Sequence, residues 1–278
     1  VRTAAEQVMG TVVSLAAPDA TDPALFRAAA QAAFGYLHHV DEVFSPFRPD
    51  SPVSRIRDGR LSPTALGEHP DGPELLEVLA LCEELKQGSE GAFDAWAVGD
   101  PPGFDPCGAV KGWAAERASA LLTEHGLPRH SLNAGGDVRL RAGQEDRSPW
   151  RVALADPHRP GKLLTVLEIA DGAVATSGTA ERGAHVFNPW THRPARALAQ
   201  VTVTGPDLAR ADGWATAALA LADGPGGTAG AHAWLSALAE RTGCQAVTVD
   251  NSGATWLTRG FAALVRSAAA GTPPSGGR

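Results

Sequence analysis

The chain has 278 residues, of which 44% are hydrophobic and 20% charged, and its net charge is −7. That length and composition belong to an ordinary globular protein of one domain or two closely joined lobes. An acidic balance without a long basic run excludes a wide nucleic-acid face, and no apolar run approaches the ~20 residues that a membrane span needs.

The opening residues lack the basic start and apolar core of a secretory signal. The expected location is therefore the cytoplasm, or an exported or membrane-associated site if a leader has been trimmed. The three cysteines, Cys82, Cys107 and Cys244, are far apart and odd in number. They form neither a disulfide framework nor a metal pair, and buried free thiols are expected.

In chain order, Glu6–Ala16 is valine-rich and predicts a strand, with Gly10 as a close-approach or bulge point. Asp22–Val43 predicts a helix capped by Thr21 or Asp22, with His38 and His39 near its end and favourably placed for the helix dipole. Phe44–Gly59 is a proline-broken turn region in which Phe47 reads as a small hydrophobic anchor. Pro73–Ser89 predicts a second helix and Trp113–His125 a third, entered from a loop at Asp105. Residues 131–143 predict a strand, a double glycine with Asp137, and a second strand. Arg151–Ala155, Leu163–Ile169 and Gln200–Thr204 read as strands, Leu208–Ala222 and Ala231–Thr242 as helices, and Gln245–Asp250 with Gly253–Thr258 as a closing hairpin. Runs of strands and helices without strict alternation predict an α+β fold. One domain over 1–269 is expected, followed by a disordered tail over 270–278.

The stretch from Asp105 to Arg117 places Lys111 near the start of a helix, where free N–H groups and the dipole attract phosphate. Asp105 has the wrong sign for that partner unless a cation or a sugar hydroxyl intervenes. Asp212 and Thr216, at i and i+4 of one helix, share a face on which a carboxylate and a hydroxyl can hold Mg²⁺. The same spacing is also common surface decoration, but this helix is apolar and a buried aspartate needs a partner. The double glycine with Asp137 and the run Thr176-Ser177-Gly178 are candidate backbone cradles, or simply tight turns. His185, among small and apolar residues, reads as a core histidine or a base. Walker, Rossmann, zincin and nucleophile-elbow motifs are all missing. The remaining signals together suggest a magnesium-assisted site for a nucleotide diphosphate.

The segments VMGTVVSL, FSPFRPDSPVSRI, EGAFD, D-x-x-G-x-x-KGWAAER, LNAGGD, PWRVALADP, AVATSG, HVFNP and VTVTGPDLARADGWATAAL follow one another over about residues 6 to 260. In this order they resemble the FAD:protein FMN transferases, the ApbE family. The resemblance implies a T-fold-like α+β architecture of two interwoven lobes with the flavin nucleotide between them. It implies Mg²⁺ held by Asp212, Thr216 and the carbonyl of Gly108, and FAD contacts at Met9, Phe47, Ala92, Phe93, Asp94, Asp105, Lys111 and Val186. His185 matches a family histidine that would assist the incoming hydroxyl or steady the diphosphate, alongside Lys111 and Asp212 in catalysis. Phe47, Arg57, Asn188 and His192 depart from the family pattern.

The implied reaction moves FMN from FAD to a Thr or Ser hydroxyl of a target protein and releases AMP. An FAD pyrophosphatase and a non-catalytic FAD-binding protein are the alternatives.

Overall fold

The computed structural model describes residues 1–143, 147–178 and 186–266. Its frame is an eight-stranded antiparallel sheet in the order β1-β2-β3-β4-β7-β10-β11-β12. The strands are β1 Arg2–Val8, β2 Thr11–Ala17, β3 His130–Ala134, β4 Asp137–Arg141, β7 Gly172–Gly178, β10 Leu198–Gly205, β11 Gln245–Asp250 and β12 Thr255–Leu257. Two small hairpins stand outside it: β5 Trp150–Ala155 with β6 Leu163–Ile169, and β8 Phe187–Asn188 with β9 Arg193–Pro194. The expected α+β class holds.

Alternation along the strands sorts side chains to two faces. Val13 and Leu15, Leu132 and Ala134, Ala173 and Ala175, and Val201 and Val203 face the helices and form the main core with them. Val138, Leu140, Val174 and Val247 face the other way and enclose a smaller core with Val152, Leu154, Leu167 and Ile169 of the β5–β6 hairpin.

The helical layer comprises α1 Pro23–Phe44, α2 Pro52–Arg57, α3 Gly72–Gly88, α4 Cys107–Glu124, α5 Leu208–Ala222 and α6 Gly227–Thr242. Caps fix its starts. Asp22 accepts from the N–H groups of Ala24 and Leu25, Ser51 from Ser54, and Asp207 from Arg210; a side-chain oxygen there satisfies an otherwise orphaned donor. Glycines let α4 and α5 approach closely. A Cβ on Gly112 would come within 2.6 Å of the Leu208 carbonyl and 2.7 Å of the Asp212 Cβ.

Several expectations change. Glu6–Ala16 is not one strand: Met9 (φ +51) and Gly10 (φ +68) form a two-residue turn between β1 and β2. Left-handed backbone at both positions is what a tight hairpin requires. The Phe44–Gly59 region contains α2, which Ser51 and the following Pro52 start. Phe47 anchors nothing and is 91% exposed. His38 and His39 do not serve the helix end; each lies 2.9 Å from a carboxylate, Glu6 and Glu74 respectively. Cys82 and Cys244 are buried, but Cys107 is exposed because it starts α4 at the surface. Burial and the nearby Asp94 and Asp105 carboxylates push the Cys82 thiol up to about 12. Among the described residues no helix is long and apolar enough to cross a membrane. The tail from 270 lies outside the described residues.

Candidate functional site

Helix α4 begins at Cys107, six residues earlier than the sequence predicts. Asp105 explains the start: its Oδ1 accepts from the N–H of Cys107 at 2.9 Å. Lys111 is therefore one turn inside the helix and not at its mouth. Its side chain meets two carboxylates. Its ammonium pairs with Asp137 and lies 3.6 Å from Asp212 Oδ1.

Each carboxylate is held by a second element. Val138 and Leu140 face the hairpin side, so strand alternation turns Asp137 and Arg139 toward the helices. Asp137 is fully buried, and its Oδ1 accepts from the N–H of Thr176 on β7 at 2.9 Å. Asp212, 2% exposed on α5, accepts from the N–H of Gly112 on α4 at 2.9 Å. In a regular helix that N–H serves the carbonyl four residues earlier, which is Gly108's. Buried charges hold their place only when paired and hydrogen-bonded, and here the backbone of two neighbouring elements does so.

Thr216 lies one turn beyond Asp212, on the same face, as the i, i+4 spacing predicts. Its hydroxyl is 3.2 Å from that of Ser177, whose side chain points to the helices from β7. Gly108 closes the group: a Cβ there would fall 3.1 Å from the Phe93 ring and 3.3 Å from Thr216 Cγ2. A side chain at Gly108 would crowd both neighbours, so the glycine lets the backbone lie close to Thr216 and Phe93.

Ala92 and Phe93 are buried after α3, and the N–H of Phe93 is bonded to Ser89 Oγ at 2.9 Å. Asp94 pairs with Lys86 at 2.8 Å and accepts from the Trp96 N–H. The N–H of Asp105 is bonded to the Ala95 carbonyl at 2.7 Å, which ties the two loops together. Ala92 to Asp94, Asp105, Gly108, Lys111, Asp212 and Thr216 thus form one contiguous group. Met9, Phe47 and Val186 sit on other elements: the β1–β2 turn, the loop after α1, and the residue before β8. Val186 is half-buried and packs on the main core. His185 lies outside the described residues.

The proposed cradles resolve differently. Gly135 (φ +61) and Gly136 (φ +97) form the two-residue turn between β3 and β4, so the conformational reading of the double glycine holds. Thr176-Ser177-Gly178 is no loop but the end of β7, paired with β10. Its Thr176 N–H is already committed to Asp137. Sequence reasoning recorded Asp137 as a turn acid and missed it as Lys111's partner; the signal available was its odd-numbered position on β4, opposite in phase to Val138 and Leu140.

Two of the departures from the family pattern have structural accounts. His192 has φ +53, a left-handed conformation that favours glycine. Asn188 is buried; its Oδ1 accepts from the N–H groups of Trp190 and Thr191, while Nδ2 donates to the Ala220 carbonyl at 3.3 Å. An aspartate has no N–H for that last bond.

A cavity of about 500 Å³ lies on the opposite face of the sheet, between it and the β5–β6 hairpin, and Lys111 lines it too. The pairing of β4 with β7 stops at Val138 opposite Val174, whereas β7 runs on to Gly178. That leaves a notch in the sheet beside Asp137, and Lys111, paired with Asp137 and near Asp212, reaches the cavity there. Among the described residues no three His, Cys, Asp or Glu side chains gather in a metal-binding group. The oxygen set of Asp212, Thr216 and Gly108 is of another kind: a carboxylate, a hydroxyl and a carbonyl, suited to a hard cation such as Mg²⁺.

The chain is similar to known proteins over most of its length. The "FAD:protein FMN transferase" of Salmonella typhimurium is 31% identical over 121 residues, 40% of this chain and 35% of that protein. The protein of the same description from Treponema pallidum is 31% identical over 176 residues, 55% of this chain and 49% of its own length. The matched stretches therefore span between about a third and a half of these relatives. Among solved structures, the ApbE protein of Thermotoga maritima superposes with a TM-score of 0.75 at 20% identity, covering 95% of this chain and 99% of that one. The flavin transferase ApbE of Vibrio cholerae gives 0.71 at 19% identity, covering 95% and 99%; these likenesses establish a shared fold. The ApbE family model matches residues 9–100 and 98–240, and the chain belongs to the ApbE family.

Proposed function

We propose that this protein is a Mg²⁺-dependent FAD:protein FMN transferase. The observation that carries the reading is the convergence of Lys111, Asp212, Thr216 and Gly108 at one point between α4 and α5, in a chain of the ApbE family. FAD would lie with its diphosphate at Lys111, with contacts from Met9, Phe47, Ala92, Phe93, Asp94, Asp105 and Val186.

Asp212 and Thr216, through their side chains, and Gly108, through its carbonyl, would hold the cation. Mg²⁺ would supply neutralisation of diphosphate charge, which phosphoryl transfer requires. The Gly112–Asp212 hydrogen bond supports this assignment, because it ties the Asp212 carboxylate to the turn of α4 that begins at Gly108. Lys111 is held between two acids, and its ammonium would face the diphosphate. In the transfer, the acceptor hydroxyl oxygen bonds to the FMN phosphorus, the diphosphate bridge breaks, and AMP leaves with the bridging oxygen. The hydroxyl proton passes to His185 and on to solvent.

The test is incubation with FAD and Mg²⁺, with and without an acceptor protein, following AMP release and in-gel flavin fluorescence. AMP together with a fluorescent acceptor is expected, abolished by EDTA. AMP with free FMN alone would replace transfer by hydrolysis, and bound FAD without AMP would mark a binding protein. Wild-type transfer by His185→Ala would remove that residue from the mechanism.

A further inference from the structure

The cavity on the hairpin face shares only Lys111 with the positions assigned above to FAD and metal. From its geometry, and resting on the transferase reading, we propose that it is the acceptor groove. An extended, hydroxyl-bearing segment of the target protein adds as a strand along the open edge of β5 and delivers its Thr or Ser to Lys111 in the notch.

Three observations support the assignment. First, every residue from Trp150 to Pro157 lines the cavity. Side chains on one face of a strand alternate, so an unbroken run means that the strand presents its edge. Second, that edge is open among the described residues. Among the described residues β5 pairs only with β6, whereas the outer edge of β6 is covered by the bridge from Leu167 to Val265 and the bond from the Arg266 N–H to the Val166 carbonyl. Proteins usually blunt such edges. Here the outward side chains beyond Arg151 are Ala153 and Ala155, both exposed and too small to obstruct an approaching strand.

Third, the floor suits a polar main chain. Ser14, Ser131, Asn133, Thr176 and Gln200 all face the hairpin side, and Ser14 stands directly opposite Asn133 in register. An added strand would meet hydroxyls and amides below, unpaired backbone groups along one wall, and an ammonium at its end. Main-chain hydrogen bonds then give affinity while the floor selects side chains, as in other strand-addition modes of recognition. The six residues of β5 set the reach at about 20 Å, long enough for a segment of some six residues.

The experiment uses immobilised hexapeptides with a fixed central threonine and varied flanks, incubated with FAD, Mg²⁺ and the protein, and read by flavin fluorescence. Wild-type protein is expected to label a subset. N-methylation of alternate residues in the best peptide, which removes strand hydrogen bonds and leaves side chains alone, should cut labelling at least tenfold. Ser131→Trp, which fills the groove, and Ala153→Pro, which alters only the β5 edge, should do the same. FAD binding by flavin fluorescence quenching, and AMP release without peptide, should stay within twofold in both variants. The proposal is overturned by undiminished labelling with N-methylated peptides or with both variants. It is also overturned if a protein that transfers FMN to a folded acceptor labels no peptide, or if sedimentation shows the β5 edge occupied by a second copy in a dimer that Ser131→Trp dissolves. Failure of wild-type protein to bind FAD, seen before any peptide is added, would bring down the transferase reading and the groove with it.

Discussion

The two faces of the central sheet are built on opposite principles. The helix face buries ionic and polar groups: Asp137, Arg139 and His130 point into it from β4 and β3, and Lys111, Glu116, Ser119 and Asp212 answer from α4 and α5. Arg139 bonds to Glu116 at 2.9 Å and to the carbonyl of Gly172 at 2.7 Å, and Glu116 also accepts from the Leu208 N–H that starts α5. On the hairpin face the sheet carries hydroxyls and amides, and Lys111, Arg151 and Asp156 join them in lining an open cavity. A buried ionic layer fixes geometry, because each member is costly to leave unpaired; neutral hydroxyls and amides beside an open cavity exchange their partners with water at little cost. The face that positions phosphate chemistry is the rigid one, and the face left open suits a partner that comes and goes.

The contrast is most severely tested at Asp137. Asp137→Leu leaves the Lys111 ammonium without one of its carboxylates and the Thr176 N–H without its acceptor. Removing one partner of a buried charge pair typically costs about 3–5 kcal/mol, and urea unfolding should show a midpoint lowered to match. Asp137→Asn, which keeps an acceptor for Thr176, should lose less. Equal, small effects of both would mean that the helix face tolerates charge loss as the hairpin face does.

His130 gives the next largest effect and a pH signature. Its Nδ1 lies 2.7 Å from the Leu127 carbonyl and so carries the proton, while Nε2 accepts from Ser119 Oγ at 2.8 Å. Burial lowers its pKa from 6.5 to about 4. The unfolded chain therefore takes up the proton first as pH falls. This group's contribution to stability is constant above pH 6.5, declines between 6.5 and about 4, and is flat below, with a total loss of about 3 kcal/mol. Glu77 is raised by burial but lowered more by its bonds to Arg117 and Trp113, so its own loss begins only as pH falls through its ordinary 4.5. Unfolding midpoints between pH 7 and 4.5 should fall in wild type and flatten in His130→Gln.

How far the sequence could reveal each face follows from the same physics. The longer helices and the α+β class were readable from periodicity and caps, unlike the short α2, and Asp212 with Thr216 from i, i+4 spacing. The start of α4 was not, because Asp105, which fixes it, has the chemistry of a ligand group and gives no sign in sequence that it also satisfies the Cys107 N–H. Nor was the Lys111–Asp137 pair. Residues 111 and 137 are brought together by strand phase and sheet order, and both are non-local. The cavity was wholly hidden, since its wall is the edge of β5, and an edge is a property of what does not pair with a strand. Phe47 shows the converse: its apolar character suggested burial, yet the proline-rich loop holds it in solvent.

Between the faces stands the β3–β4 turn that aims Asp137 into the helix side. Gly135 has φ +61, and a Cβ there would overlap the Thr11 hydroxyl of β2; Gly136 has φ +97 and meets nothing. Gly135→Ala should cost about 2 kcal/mol, from left-handed backbone and overpacking together, and Gly136→Ala about half of that, from backbone alone. Thr11→Ala in the Gly135→Ala background should recover the overlap part only. Full recovery would mean that the turn's conformation is not demanding and that Asp137 is held by its hydrogen bonds.

The smallest effect is expected on the open face. Thr202 is fully buried on β10, and its hydroxyl is 2.9 Å from that of Thr176. Thr202→Val keeps the shape and removes this hydrogen bond between neutral groups, typically worth about 1 kcal/mol, together with a longer one of 3.4 Å from Gln200 Nε2. Thr176 is half-buried and lines the cavity, so its hydroxyl can turn to water when the partner is lost. The expected shift in unfolding is therefore at or below that figure, several-fold less than for Asp137→Leu. If the two substitutions destabilised the protein equally, the cavity would be a rigid part of the core, and a groove that must admit and release a strand could not be built there.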